Sequence, residues 1–128
     1  MGRVPFGLLI AAALIGGCSS ISSHDVIGEH RGMFAPGGGP GRAVTLILND
    51  DLTAAFHTEQ VANVPTIIET GTWKLGSGKM VHVKLRKQGD RPTVNDLTFE
   101  LREGSLVAVE YDRERYGREG LTLRPTGW

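Results

Sequence analysis

The side chains with the greatest capacity for chemistry are one thiol, Cys18, and four imidazoles, His24, His30, His57 and His82. A thiol or hydroxyl beside an imidazole could form a nucleophile and its base, and imidazoles clustered with carboxylates could hold zinc or copper. Their spacing favours neither. No His-x-His or His-Glu-x-x-His pair occurs, and no motif joins a nucleophile to a base and a third orienting group. His24 and His30 lie in one entry segment with Asp25 and Glu29, where a weak surface copper or zinc site is the minor alternative to solvated histidines. Glu100 and Glu110 could be compared with the paired carboxylates of glycosidases, yet both alternate with apolar residues and read as solvent-facing strand positions. The loop Ala35-Pro36-Gly37-Gly38-Gly39-Pro40-Gly41 lacks the Gly-Lys-Ser/Thr ending of a phosphate loop and precedes a strand, so it reads as a flexible connection. The expectation is a non-catalytic chain with no metal and no cofactor.

Cys18 has a different chemistry open to it. Arg3 is followed by an apolar run, Phe6 to Ile15, and then by Ile15-Gly16-Gly17-Cys18, which resembles the lipobox of bacterial lipoproteins. The apolar run enters the membrane, the two glycines give signal peptidase access to the backbone, and the thiol accepts a diacylglyceryl group. The run is about half the roughly twenty residues that a permanent span requires. A plain secretory peptide and a buried helix are the competing readings. Cleavage before Cys18 makes residues 1–17 a signal peptide and Cys18 the lipid attachment site, with acyl chains anchoring the protein to a membrane. Ser19, where retention in the inner membrane often uses aspartate, points by resemblance to the outer membrane, with the domain facing the periplasm.

Residues 18–27, beginning Cys18-Ser19-Ser20-Ile21-Ser22-Ser23, then read as a polar tether, and residues 28–128 as one domain. A single cysteine excludes an intramolecular disulfide, so stability must come from packing. Fourteen basic and fourteen acidic residues cancel, giving no broad attraction for nucleic acid. The cluster Lys84, Arg86, Lys87 and Arg91 reads as a solvated strand end and loop, with membrane or polyanion contact as the minority reading.

The domain is a series of short β-type runs between turn residues, which suits an all-β barrel or sandwich of about seven or eight antiparallel strands. Val44, Leu46 and Leu48 alternate with Thr45, Ile47 and Asn49; Val81, Val83 and Leu85 alternate with Met80, His82, Lys84 and Arg86; Leu97, Phe99 and Leu101 alternate with Thr98, Glu100 and Arg102. Further strands are expected over Thr53 to Glu59, Ile67 to Leu75, Ser105 to Tyr111 and Leu121 to Leu123. Turns are expected at Asn49-Asp50-Asp51, Gly76-Ser77-Gly78 and Glu103-Gly104, and a long polar loop over Lys87 to Asp96. Trp73, Tyr111, Tyr116 and Trp128 read as interior plugs first and as ligand-stacking rings second.

Four motifs follow one another along the chain: Pro40-Gly41, Thr45-Leu46-Ile47-Leu48-Asn49-Asp50-Asp51, Glu69-Thr70-Gly71-Thr72-Trp73 and Tyr116-Gly117-Arg118-Glu119-Gly120-Leu121. In this order they resemble, over Gly28 to Leu123, the N-terminal domain of the NlpE family of lipoproteins, linked to copper resistance and envelope-stress sensing. The resemblance implies a small antiparallel meander closing into a lipocalin-like barrel. The family's Cys-x-x-Cys would fall on Pro36 and Gly39, so the soft sulfur ligands that favour Cu(I) are missing. Two functions follow as expectations. One is a binding or stress-sensing module with a small ligand or an envelope protein as partner. The other is an inhibitor or structural lipoprotein acting through the loops Ala35 to Gly41 and Lys87 to Asp96.

Overall fold

The computed structural model describes residues 21–35, 41–59 and 65–126. Its strands are β1 (Gly28–Phe34), β2 (Arg42–Leu48), β3 (Thr53–Thr58), β4 (Ile67–Leu75), β5 (Met80–Gln88), β6 (Arg91–Arg102), β7 (Ser105–Glu110) and β8 (Thr122–Pro125). Each pairs antiparallel with its neighbour in sequence, and β8 pairs back onto β1, so eight strands form a closed up-and-down barrel. Closure gives every one of these strands a neighbour on both sides. The all-β meander expected from the alternating pattern is the observed architecture.

The alternation decides which side chains fill the barrel. Val44, Leu46, Leu48, Phe56, Val81, Val83, Leu85, Leu97, Phe99 and Leu106 are all buried to 1% exposure or less, while their sequence neighbours face outward. Turn chemistry sets the register. At Glu103-Gly104 both residues have positive φ, 48° and 83°, which is the type I′ geometry that matches the twist of paired strands. Trp73 is inside, at 2% exposure, and its Nε1–H donates to the Asn49 carbonyl at 2.9 Å, tying β4 to the β2–β3 turn.

Three sequence readings change. The expected loop from Lys87 to Asp96 is a β-hairpin: β5 continues to Gln88, Gly89 with φ 60° turns the chain, and β6 starts at Arg91. Most side chains from Arg86 to Val94 are exposed on both faces of this ribbon, so no alternation marked it. The tail of the expected tether belongs to the domain. Ser23–Asp25 form a 3-10 turn, Val26 is fully buried, and Ile21 and Ile27 pack against the core. These three apolar residues are too scattered to give a period. Finally, the Arg/Glu/Gly segment contains a short helix, α1 (Arg113–Tyr116), ahead of β8. Cys18, Ser19 and Trp128, and most of the Ala35–Gly41 loop, lie outside the described residues.

Close strand approach depends on two glycines. A Cβ on Gly32 would collide with the Thr122 carbonyl oxygen where β1 meets β8, and one on Gly71 would collide with the Lys84 carbonyl oxygen beside the irregularity in β5. Backbone cannot swing aside as a long side chain can. Gly71→Ala is therefore expected to lower stability by about 1–3 kcal/mol, the usual range for overpacking. A denaturation midpoint unchanged from the parent chain would contradict this.

Candidate functional site

One end of the barrel carries a polar cluster inside the wall. Glu69 on β4 has the same parity as Trp73 and so points inward, where it is fully buried. Asn95 on β6 shares the inward parity of Leu97 and Phe99 and is 4% exposed. A buried carboxylate without a partner would be costly, and the fold supplies one from forty-six residues away in sequence. The Arg115 guanidinium grips both Glu69 oxygens, at 2.6 Å and 3.2 Å. Asn95 Nδ2 donates to the Tyr116 hydroxyl at 2.9 Å and lies 3.4 Å from each Glu69 oxygen.

Helix α1 delivers both Arg115 and Tyr116. Four residues cannot form a stable helix alone, so external contacts hold it. The Asp112 carboxylate caps it by accepting from the Glu114 and Arg115 amides at 3.0 and 3.2 Å. Tyr116, 1% exposed, enters the core edge-on to Phe34 and Phe56, with ring centroids 5.0 and 6.0 Å away. The Arg115 guanidinium stands 5.1 Å from the Tyr116 ring centroid, so one cation serves a carboxylate and an aromatic face. Burial alone would depress the Arg115 pKa, but the Glu69 hydrogen bonds and the surrounding negative charge outweigh it and raise the pKa above its ordinary value. Burial pushes the Tyr116 phenol up to about 12, against the opposing pull of Arg115 and the Asn95 hydrogen bond.

This arrangement fastens the barrel end; it offers little to a substrate. Both Glu69 oxygens are engaged and the side chain has no exposure, whereas a general base needs a free oxygen within reach of the proton it abstracts. Among the described residues, Thr58 Oγ1 and His30 Nδ1 are the buried side-chain atoms without a hydrogen-bond partner.

The residues singled out from sequence are not brought together. His24 is exposed on the 3-10 turn. His30, expected to be solvated, is 3% exposed on β1, with Nε2 sharing a hydrogen bond with the Val26 carbonyl at 2.7 Å. The proposed surface pair of His24 and His30 is thus split between outside and inside. His57 and His82 sit at outward positions of β3 and β5, and His82 Nδ1 shares a hydrogen bond with Thr98 Oγ1 at 3.1 Å. Glu100 and Glu110 also occupy outward positions, Glu100 paired with Arg102 at 2.5 Å. Among the described residues no group of three or more His, Cys, Asp or Glu side chains could hold a metal ion. Trp73 and Tyr116 are interior plugs, while Tyr111 is half-buried beneath the Arg113 guanidinium at 5.0 Å.

The cluster of Glu69, Asn95, Arg115 and Tyr116 was not anticipated. The parity of Glu69 with Trp73 was a usable signal that a carboxylate faces inward. Nothing in the chain singles out Arg115 among its arginines. Comparison with known protein families and curated proteins gave no match to any family model or any curated protein.

Removing Arg115 would leave a buried charge unpaired. Arg115→Met is expected to destabilise the fold by about 3 kcal/mol, the lower end for breaking a buried pair because Arg115 is itself partly exposed. Adding Glu69→Leu should restore most of that loss, and a double-mutant cycle showing simple additivity would refute the coupling. Tyr116 gives a pH signature. Its phenol stays neutral in the fold up to about pH 12, while the unfolded chain releases that proton from about pH 10. The stabilisation is complete below pH 10 and is lost as pH rises through 12, at most about 3 kcal/mol. Tyr116→Phe should flatten this part of the alkaline stability profile; an unchanged slope would exclude Tyr116 as its source.

Proposed function

We propose that this chain is a non-catalytic lipoprotein module of the cell envelope, anchored through Cys18 and acting by binding or stress sensing, as its resemblance to the NlpE family implies. The leader ending Ile15-Gly16-Gly17-Cys18 supports the anchor. Ser19 favours the outer membrane, with the domain facing the periplasm. The observation that carries the binding role is the filled interior. Tyr116, Phe56, Phe99 and a ring of leucines are each essentially unexposed, and the interior carboxylate is neutralised by Arg115.

A barrel filled in this way recognises a partner with its outer wall and rim, since an enclosed ligand would need space that side chains occupy. The partner is then an envelope protein or a small ligand held on the surface. The alternative of an inhibitor or structural lipoprotein acting through loops loses one of its two candidate segments. Lys87 to Asp96 is paired strand around a tight turn, and so presents a stiff ribbon in place of an adaptable loop.

Two measurements test the proposal. Labelled palmitate should enter the parent chain and be absent from Cys18→Ala, with the variant released from the membrane fraction; continued labelling would refute the anchor. Fatty acids and other apolar small molecules should leave the melting temperature unchanged. Saturable stabilisation by one of them would replace surface recognition with an enclosed ligand.

A further inference from the structure

The basic cluster noted in the sequence lies along a groove on the outside of the barrel. Lys84 pairs across the sheet with Thr72, and Lys87 with Thr70, because Arg86 is an extra residue that the ladder skips. This bulge places three cations where regular alternation would send one of them to the other face. On the far side of β4, β3 sets Ala55 beside Thr70 and Thr53 beside Thr72. The result is a groove of about 480 Å³ that includes Ala55, Gly71 and both threonines and is walled by Lys84, Arg86 and Lys87. Small residues keep it open, and Gly71 has no alternative there because a Cβ would meet the Lys84 carbonyl oxygen.

The charge of the groove is unbalanced. Arg86 pairs with Asp96 at 2.7 Å, and Asp51 is engaged by the Thr53 amide and hydroxyl. Lys84 and Lys87 are exposed and form no ion pair among the described residues. The chain as a whole is neutral, so this concentration is local.

We propose that the groove binds an acidic polypeptide segment in extended conformation, with carboxylates on alternate residues. Lys84 and Lys87 stand beside Thr72 and Thr70, which are successive same-face positions of β4 and so roughly 7 Å apart. Side chains at every second residue of an extended peptide repeat at that same spacing, so two carboxylates reach two ammonium groups while the threonine hydroxyls offer further donors between them. Among the described residues every strand has a neighbour on both sides, and at β4 and β5 both ladders are occupied, so a partner at this groove is recognised by side chains across the wall. Exposed ion pairs are individually weak and screened by salt. Binding therefore requires several contacts together and declines as salt rises.

This assigns a partner chemistry to the binding module proposed above and rests on that reading. The test uses the full-length chain in nonionic detergent and a fluorescent peptide alternating aspartate with serine, titrated at low and at physiological salt. Saturable binding that weakens with salt, and falls at least tenfold in Lys84→Gln/Lys87→Gln but not in Lys79→Gln, is the expected result. Equal binding by the double variant would overturn the proposal. So would equal affinity for a peptide of the same composition with its aspartates in one block, or for polyphosphate, because either would mean attraction to any polyanion. Repeating the titration with Cys18→Ala separates the two readings: peptide binding retained there supports the groove whatever becomes of the anchor, and binding lost there overturns it.

Discussion

Closure of the sheet is the constraint on which the rest of this structure depends. Strands β2 to β7 are paired on both sides by the meander itself, but β1 and β8 each gain a second neighbour only because β8 returns to β1. That return is brief: β8 pairs at two positions with β1 and at two with β7. The closing strand is thus held less by its ladder than by side chains such as Leu123 and Leu121, which are buried in the core, and by the absence of a side chain at Gly32. Packing substitutes for a disulfide that a single cysteine cannot form.

The two ends of the barrel are finished differently. Where β1 begins, the chain itself covers the core: Val26 is fully buried and its carbonyl meets His30. At the other end the covering is polar. Glu69, Asn95, Arg115 and Tyr116 form one connected set, and their geometry specifies where α1 sits. A buried ion pair adds little net stability over an apolar pair of the same volume. Its consequence here is positional, since a four-residue helix with exposed flanks has few other ways to find one place on the barrel.

The outer wall carries what remains for recognition. Its outward residues are mixed: Met33 and Ile68 are exposed apolar side chains, and Arg31 stands beside Arg124 across the β1–β8 ladder. Along β4 and β5 the bulge at Arg86 groups three cations over small residues. The same irregularity both shapes the groove and requires glycine at position 71, so wall geometry and surface chemistry there have one cause.

Strand content, most strand limits and the inward set were legible in the sequence, because a half-buried strand must alternate and Val44-Leu46-Leu48, Val81-Val83-Leu85 and Leu97-Phe99 do so. The turns at Gly76 to Gly78 and Glu103-Gly104 were legible for the same local reason: their backbone angles demand particular residues. The Gln88–Arg91 hairpin was not, because its strands project with both faces wet and carry no period. Val26 and His30 were not, because single buried residues in a polar stretch leave no pattern. The pairing of Glu69 with Arg115 was beyond reach altogether. Parity can say that a carboxylate points inward, but only the closed barrel, by bringing the segment before β8 over the start of β4, decides which cation meets it.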